Sequence, residues 1–249
     1  MTAALFLLEH PVAAGAGPGD AVELTGPEGR HAVTVKRIQV GEGIELADGR
    51  GTVLSATVEV VTGPGSLTAR VTHRSIVPVP EPRLTVVQAL PKGERGDTAV
   101  ETLTEVGVDV IVPWQADRSI ARWSGAKAQR GSAKWAATAQ SAGKQARRAW
   151  FPEVTPLART RDVEERIAAA TCAVILHEQA TGPIQHLTMP ADGEVLLVVG
   201  PEGGLTPEEI ARFQAAGAQL ALIGPTVLRT STAGTVAAAV LLAATRRWA

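Results

Sequence analysis

The block from Glu194 to Arg247 constrains this chain most. Val195–Val199 is an unbroken apolar run that drops into Gly200-Pro201-Glu202-Gly203-Gly204 and then opens a capped helix, as a buried parallel strand ending in a ligand-facing loop would. Thr206 suits the cap, Pro207 the first helical position, and Glu209, three residues after the cap, closes a capping box. Gly217 is placed to end that helix. Ala218–Ile223 reads as a second short strand and Gly224-Pro225 as a turn. Leu228-Arg229-Thr230-Ser231-Thr232-Ala233 then leads into an Ala-rich C-terminal helix. Two strand-to-loop corners can therefore meet around a small molecule.

Upstream, two patterns follow one another. Residues 1 to about 75 alternate short β-rich runs with turns: Ala32–Val40, Gly43–Leu46, Gly51–Val61 and Leu67–Thr72, read as a small barrel or sandwich. Val77-Pro78-Val79-Pro80-Glu81-Pro82 reads as a stiff extended linker, which puts a domain boundary at 76–82. Beyond it, strand and helix alternate: a strand Leu84–Leu90, a helix near Asp97–Val106 closed by Gly107, and a strand Val108–Val112. A basic helical region follows over Lys127–Trp150, then a helix near Arg161–Ala170 and a strand Cys172–Leu176. Such alternation predicts an α/β domain with a parallel sheet over residues 83–249.

Composition narrows the function. A chain of 249 residues suggests two domains, and 45% hydrophobic residues is ordinary for a soluble globular protein, with no apolar run near the ~18 needed to span a bilayer. The start, MTAALFLLEH, lacks a basic region and meets Glu9 too early for a secretory signal, so the cytoplasm is the expected location. One cysteine, Cys172, precludes an internal disulfide, and the five histidines lack zinc-ligand spacing, so no metal is expected. The net charge of −1 conceals a basic stretch: ten Lys or Arg stand between Trp114 and Arg161 against Asp117 and Glu153.

Each motif has a plain counterpart. A glycine turn alone would explain Gly200–Gly204, and at Gly26-Pro27-Glu28-Gly29, where no buried strand is expected to precede, the turn reading is preferred. No phosphate-loop pattern occurs, and Gly15-Ala16-Gly17-Pro18-Gly19 lacks the strand-to-helix context of a dinucleotide fingerprint. Arg130, Lys134, Ser141, Lys144 and Arg148 share one helical stripe, with Trp114, Trp123, Trp135 and Trp150 interleaved. That is either an RNA-binding face or a solvated one with tryptophans in the core. His177-Glu178 directly follows a strand, a position that points to a ligand as well as to an ordinary exposed loop.

Together these residues resemble the SPOUT-superfamily RNA methyltransferases, and within them the bacterial small-subunit ribosomal RNA uracil-N3 methyltransferase family. The resemblance spans nearly the whole chain: Leu24–His31 with Val33–Arg37, Gln88-Ala89-Leu90-Pro91-Lys92-Gly93, Thr104–Val108, Gln145 with Arg147-Arg148 before Pro152, Leu176-His177-Glu178, Gly200–Gly204 and Leu228–Ala233. Thr102, Leu205 and Ser231 depart from it, standing where lysine, phenylalanine and glutamate are usual.

The resemblance implies a PUA-like β-barrel over 1–75 that grips RNA, then a SPOUT domain with a trefoil-knotted parallel sheet, in a homodimer. It implies S-adenosyl-L-methionine in the knot, held by Leu176, His177, Glu178, Val199, Gly200, Gly203, Gly204, Ile223, Gly224 and Leu228. The implied reaction is methylation of uracil N3 at uridine 1498 of 16S ribosomal RNA in the small subunit. Glu202 is the expected base or base-orienting group, Arg229 the phosphate or oxyanion anchor, and Thr230 the orienting hydroxyl. RNA contacts are expected from Arg30, His31, Arg37, Lys92, Arg130, Lys134, Lys144, Arg147 and Arg148. The alternatives are another SPOUT methyltransferase, or a non-catalytic RNA-binding assembly factor.

Overall fold

The structure, a computed structural model, describes residues 3–248. The chain forms two compact units: residues up to Val79 together with Gly143–Phe151, and Pro80–Ala142 together with Pro152 onward.

The first unit runs β1 (Ala4–Leu7), α1 (His10–Gly15), β2 (Ala21–Leu24), α2 (Gly26–Arg30), a π-helical turn (His31–Val35), β3 (Gly43–Ala47), β4 (Thr52–Thr62) and β5 (Ser66–Ile76). Its five strands lie in the order β1-β3-β4-β5-β2, with β1 parallel to β3 and the other pairs antiparallel. Register shifts between Ser55 and Ala56 and between Val58 and Val60 bend the long β4–β5 ladder around a core that includes Phe6, Ile44, Leu54 and Leu67.

Two expectations fail here. Gly26–Gly29 follows a strand, β2, and is helical; and the β-branched run expected as a strand over Ala32–Val40 continues that helix as the π turn. Burial explains the difference. Gly29 and Ala32, three apart, face the core, whereas Val35 and Val40 are 64% and 61% exposed, a helical rather than an alternating pattern. Gly29 makes this packing feasible, since a Cβ there would stand 2.3 Å from the Gly65 carbonyl oxygen and 2.5 Å from that of Leu24.

The second unit runs β6 (Arg83–Ala89), α3 (Arg95–Val106), β7 (Val110–Trp114), α4 (Ala126–Gln145, its last turn in the first unit), β8 (Glu153–Val154), α5 (Thr160–Ala169), β9 (Cys172–Leu176), β10 (Glu194–Val199), α6 (Pro207–Ala215), β11 (Gln219–Ala221) and α7 (Thr230–Ala243). The six strands form one parallel sheet in the order β11-β9-β10-β6-β7-β8. Both faces are buried, which is why the strands read as continuous apolar runs. Val195, Leu197 and Val199 enter one core with Leu103, Trp135 and Leu241 from α3, α4 and α7; Leu196 and Val198 enter the other with Ile167 and Phe213 from α5 and α6.

Helix signals were legible at α6, where Thr206 Oγ1 accepts the Glu209 N–H at 3.1 Å and Glu209 Oε2 accepts the Thr206 N–H at 2.9 Å. Gly107 and Gly217 end α3 and α6 at φ of 110° and 109°. The expected helix over Lys127–Trp150 stops at Gln145. Arg147 turns the backbone left-handed (φ 55°), and the Arg147 and Arg148 N–H groups return to the carbonyls of Lys144 and Gly143 at 3.1 and 2.9 Å. That is a Schellman stop with arginine in the usual glycine seat. The chain after it pairs with the β3–β4 hairpin of its own unit, through Gly51 N–H to Ala149 O at 3.0 Å and Phe151 N–H to Gly49 O at 3.0 Å.

Candidate functional site

All six strands of the second unit end at the same edge of the sheet, where ligands of open α/β sheets bind. Because β9 lies between β11 and β10, the bends after Leu176, Val199 and Ala221 are neighbours. The backbone ties them further: His177 N–H donates to Ala221 O at 3.1 Å, and Leu222 exchanges hydrogen bonds with Gly182 O and Ile184 N–H at 2.9 and 2.8 Å. Leu176, His177, Gly200, Ile223, Gly224 and Leu228 are all half-buried there, while Glu178 and Gly204 are exposed and Val199 is buried. The structure therefore brings these residues together at one rim. His177 Nδ1 accepts the Gln179 N–H at 3.2 Å.

The glycines of the bends differ. A Cβ on Gly224 would meet nothing within 4 Å, so that position lines open space. A Cβ on Gly200 would touch Leu205 at 3.3 Å, so Gly200 lets the bend fold onto its own helix start. Gly203, expected against the cofactor, instead packs on the second unit's own Arg118, whose Cβ and carbonyl oxygen would lie 3.1 and 3.2 Å from an added Cβ. Arg118 Nη1 in turn donates to the carbonyls of Gly203 and Leu205, each at 3.3 Å.

Glu202 is held from the neighbouring bend. Its Oε1 accepts the Lys92 N–H at 3.2 Å and lies 3.7 Å from Arg95 Nη1. Arg229 is exposed at the N-cap of α7. Thr230, expected to orient substrate or cofactor through its hydroxyl, is only 7% exposed, and its carbonyl accepts the Gln88 side-chain amide at 3.2 Å, which ties down the start of α7. Arg95 and Arg118 were given no role from the sequence, and Gln88 was named only as part of the motif Gln88–Gly93. Only Gln88 left a signal: a glutamine inside the apolar strand LTVVQAL, fully buried, with an Oε1 that finds no partner among the described residues.

The basic stripe does not survive as one surface. Lys134 pairs with Asp97 at 2.5 Å, a hydrogen bond that raises its pKa, and Lys144 pairs with Glu28 at 2.5 Å with its side chain only 21% exposed. Lys144 is thus a structural ion pair. Arg148 lies beyond the helix. Arg30, Arg37, Lys92, Arg130 and Arg147 are exposed, and His31 and Arg148 are half-buried. Trp114 and Trp135 are core residues, Trp123 packs edge-on against Trp135 at 5.3 Å, and Trp150 Nε1 donates to Val77 O at 2.9 Å, so the tryptophans are packing groups.

A hollow of about 540 Å³ opens at the opposite edge, where β9 and β11 begin, lined by Thr171, Cys172, Met189 and Gln219 among others. Burial pushes the Cys172 thiol pKa up, making it a poor nucleophile. Among the described residues, no cluster of His, Cys, Asp and Glu is arranged to hold a metal ion, and no helix is long and apolar enough to cross a membrane.

Comparison with known proteins bears on these features. Residues 79–242 match the family described as an RNA methyltransferase domain, and residues 24–72 the family described as an RNA methyltransferase PUA domain. The ribosomal RNA small subunit methyltransferases E of Mycobacterium bovis and Mycobacterium tuberculosis are each 45% identical over 235 residues, covering 92% of this chain and 89% of theirs. A putative methyltransferase of Legionella pneumophila, solved with bound S-adenosylmethionine, superimposes with a TM-score of 0.86 at 28% identity, over 98% of this chain and 99% of that one. The ribosomal RNA small subunit methyltransferase E of Neisseria gonorrhoeae, solved with the same cofactor, does so with 0.85 at 26% identity, over 97% and 98%. The chain belongs to the RNA methyltransferase family whose catalytic domain follows a PUA domain.

Proposed function

We propose that this protein transfers a methyl group from S-adenosyl-L-methionine to N3 of a uracil in small-subunit 16S ribosomal RNA, the uridine at position 1498 being the implied target. The observation that carries the reading is the meeting of the bends after β9, β10 and β11 at one sheet edge, in a chain 45% identical to ribosomal RNA small subunit methyltransferases E. The functional division is a PUA-like barrel over 1–75 that grips RNA, a linker at 76–82 and a SPOUT domain over 83–249, knotted as a trefoil and paired as a homodimer.

The residues present fit the cofactor. Leu176, Ile223 and Leu228 offer half-buried apolar walls, and the bare Cα of Gly224 leaves room and backbone polar groups beside them. When bound, S-adenosylmethionine supplies an electrophilic methyl group on a sulfonium.

The chain's own groups do the rest. N3 carries a proton in neutral uracil, and it lies on the pairing edge, so the base must be unstacked to be reached. Glu202, its Oε1 oriented by Lys92, presents Oε2 as the proton acceptor, a role worth about 10²–10⁴-fold. Arg229, exposed at the N-terminus of α7, anchors phosphate or the oxyanion that develops as the proton leaves. Gln88, through Thr230 O, holds that helix start in register.

The test is methyl transfer from labelled cofactor to small subunits lacking the modification, followed by nucleoside identification. The expected product is 3-methyluridine; label on a ribose 2′-oxygen, or RNA binding without label transfer, would overturn the reading. Gly224→Val should weaken cofactor affinity at least tenfold by calorimetry while thermal unfolding stays unchanged. Unaltered affinity would count against this rim as the cofactor site.

A further inference from the structure

We propose that Ile120, in the loop after β7, is an apolar wedge that enters the ribosomal RNA base stack beside the target uridine and keeps that base out of it, with Arg118 and Arg122 flanking it for the phosphodiester chain. The proposal rests on the ribosomal RNA reading and deepens it by naming the side chain that does the unstacking on which access to N3 depends.

Ile120 is 63% exposed, although an aliphatic side chain stabilises the fold only where it leaves water. A single exposed isoleucine is ordinary on its own; its place in the loop is not. Ser119 is buried and Ala121 half-buried, so the chain turns inward on both sides and leaves Ile120 outside. β7 ends at the same sheet edge as the bends of the candidate site. From there the loop leans on the Glu202 bend: a Cβ on Gly203 would stand 3.1 Å from Arg118 Cβ, and Arg118 Nη1 donates to Gly203 O and Leu205 O. Two residues of chain reach at most about 7 Å, which keeps the Ile120 backbone at the margin of the bend that carries Glu202.

The loop is held as a wedge must be. Asp117 N–H donates to Oε1 of buried Glu209 at 2.9 Å, Ser119 N–H to Ala116 O at 3.1 Å, and Trp123 N–H to Gln115 Oε1 at 2.9 Å. Arg122 Nη2 reaches back to Asp117 O at 2.6 Å and closes the loop on itself, while the Trp123 ring packs on Trp135. The β-branched side chain is itself stiff at χ1, so little freedom is lost on insertion. The surrounding charge suits RNA. Among the described residues, of the five Lys or Arg between residues 115 and 142 only Lys134 is in an ion pair, and the stretch holds a single acid, Asp117. Aliphatic side chains part base steps in this way, and an extruded base leaves stacking that an apolar group can replace and a polar one cannot.

The rival occupant of this tip is a second copy of the chain. The test is Ile120→Ser, read by single-turnover methyl transfer to small subunits lacking the modification and by the fluorescence of 2-aminopurine placed next to the target uridine in reconstituted subunits. Binding of the parent raises that fluorescence as the stack opens; the variant leaves it near the unbound level and transfers methyl about tenfold more slowly. Melting temperature and cofactor affinity stay the same, because the side chain is largely in water already. The slope of log RNA affinity against log salt also stays the same, because no charge is removed. A parental rate, a parental fluorescence rise, or a loss of activity that accompanies a change of mass in solution, which would make Ile120 a contact between two copies, each overturns the proposal. If the parent itself neither binds nor methylates small-subunit RNA, the functional reading fails and takes this one with it; if the parent does both and the variant matches it, only this inference fails.

Discussion

At Asp48 two effects oppose one another. Burial raises the pKa of its carboxyl, but hydrogen bonds from His10 at 2.7 Å and from the Arg50 and Thr52 N–H groups at 2.7 and 3.0 Å win, and the pKa falls below 3.8. A carboxylate with a depressed folded pKa adds stability above its unfolded pKa and loses it as pH falls through the folded value. The parent protein should therefore lose stability as acid protonates this carboxylate, a loss that Asp48→Asn lacks because it is already weaker at neutral pH. Urea midpoints across pH 2–7 check this, and parallel curves would refute it. Gly29 poses a steric question at the same scale. With backbone oxygens 2.3 and 2.5 Å from the position of its missing Cβ, Gly29→Ala should lower stability by about 3 kcal/mol in denaturant titration, although alanine is ordinarily the better helix former.

Among the elements, α6 shows how much a cap can organise. Beyond its capping box, Glu209, only 1% exposed, turns Oε1 to the Asp117 N–H at 2.9 Å and so fixes the loop that carries Arg118 against Gly203. Thr206→Ala should cost about 1 kcal/mol, the usual loss for a cap. Glu209→Ala should cost more, because two further N–H groups lose their acceptor. Equal losses in thermal unfolding would show that the Asp117 contact contributes nothing. The capping pattern, the strand limits of β9 and the glycine stops were all legible in the sequence, since they depend on local spacing. The helical nature of Gly26–Val35 was not, because β-branched residues favour strands and only packing against Gly65 reverses that preference.

At the scale of the whole molecule, the chain's end closes on its middle. Arg247 donates to Asp109 at 2.5 and 3.2 Å and to the carbonyls of Gly107 and Pro82, with both side chains nearly buried, and so secures the far end of the helix whose start carries Arg229. Arg247→Ala should cost about 3 kcal/mol and speed amide exchange along α7; unchanged protection would show the clasp to be incidental. By itself the sequence determined the alternation of strand and helix, the glycine bends and the residues at their tips, because burial periodicity and caps are written in neighbouring positions. Only the tertiary structure decided that β9 lies between β10 and β11, that Gly143–Phe151 rejoins the first unit, and that Lys134 and Lys144 meet carboxylates 37 and 116 residues away. Pairings of that range depend on how strands order and helices pack, which no local spacing encodes.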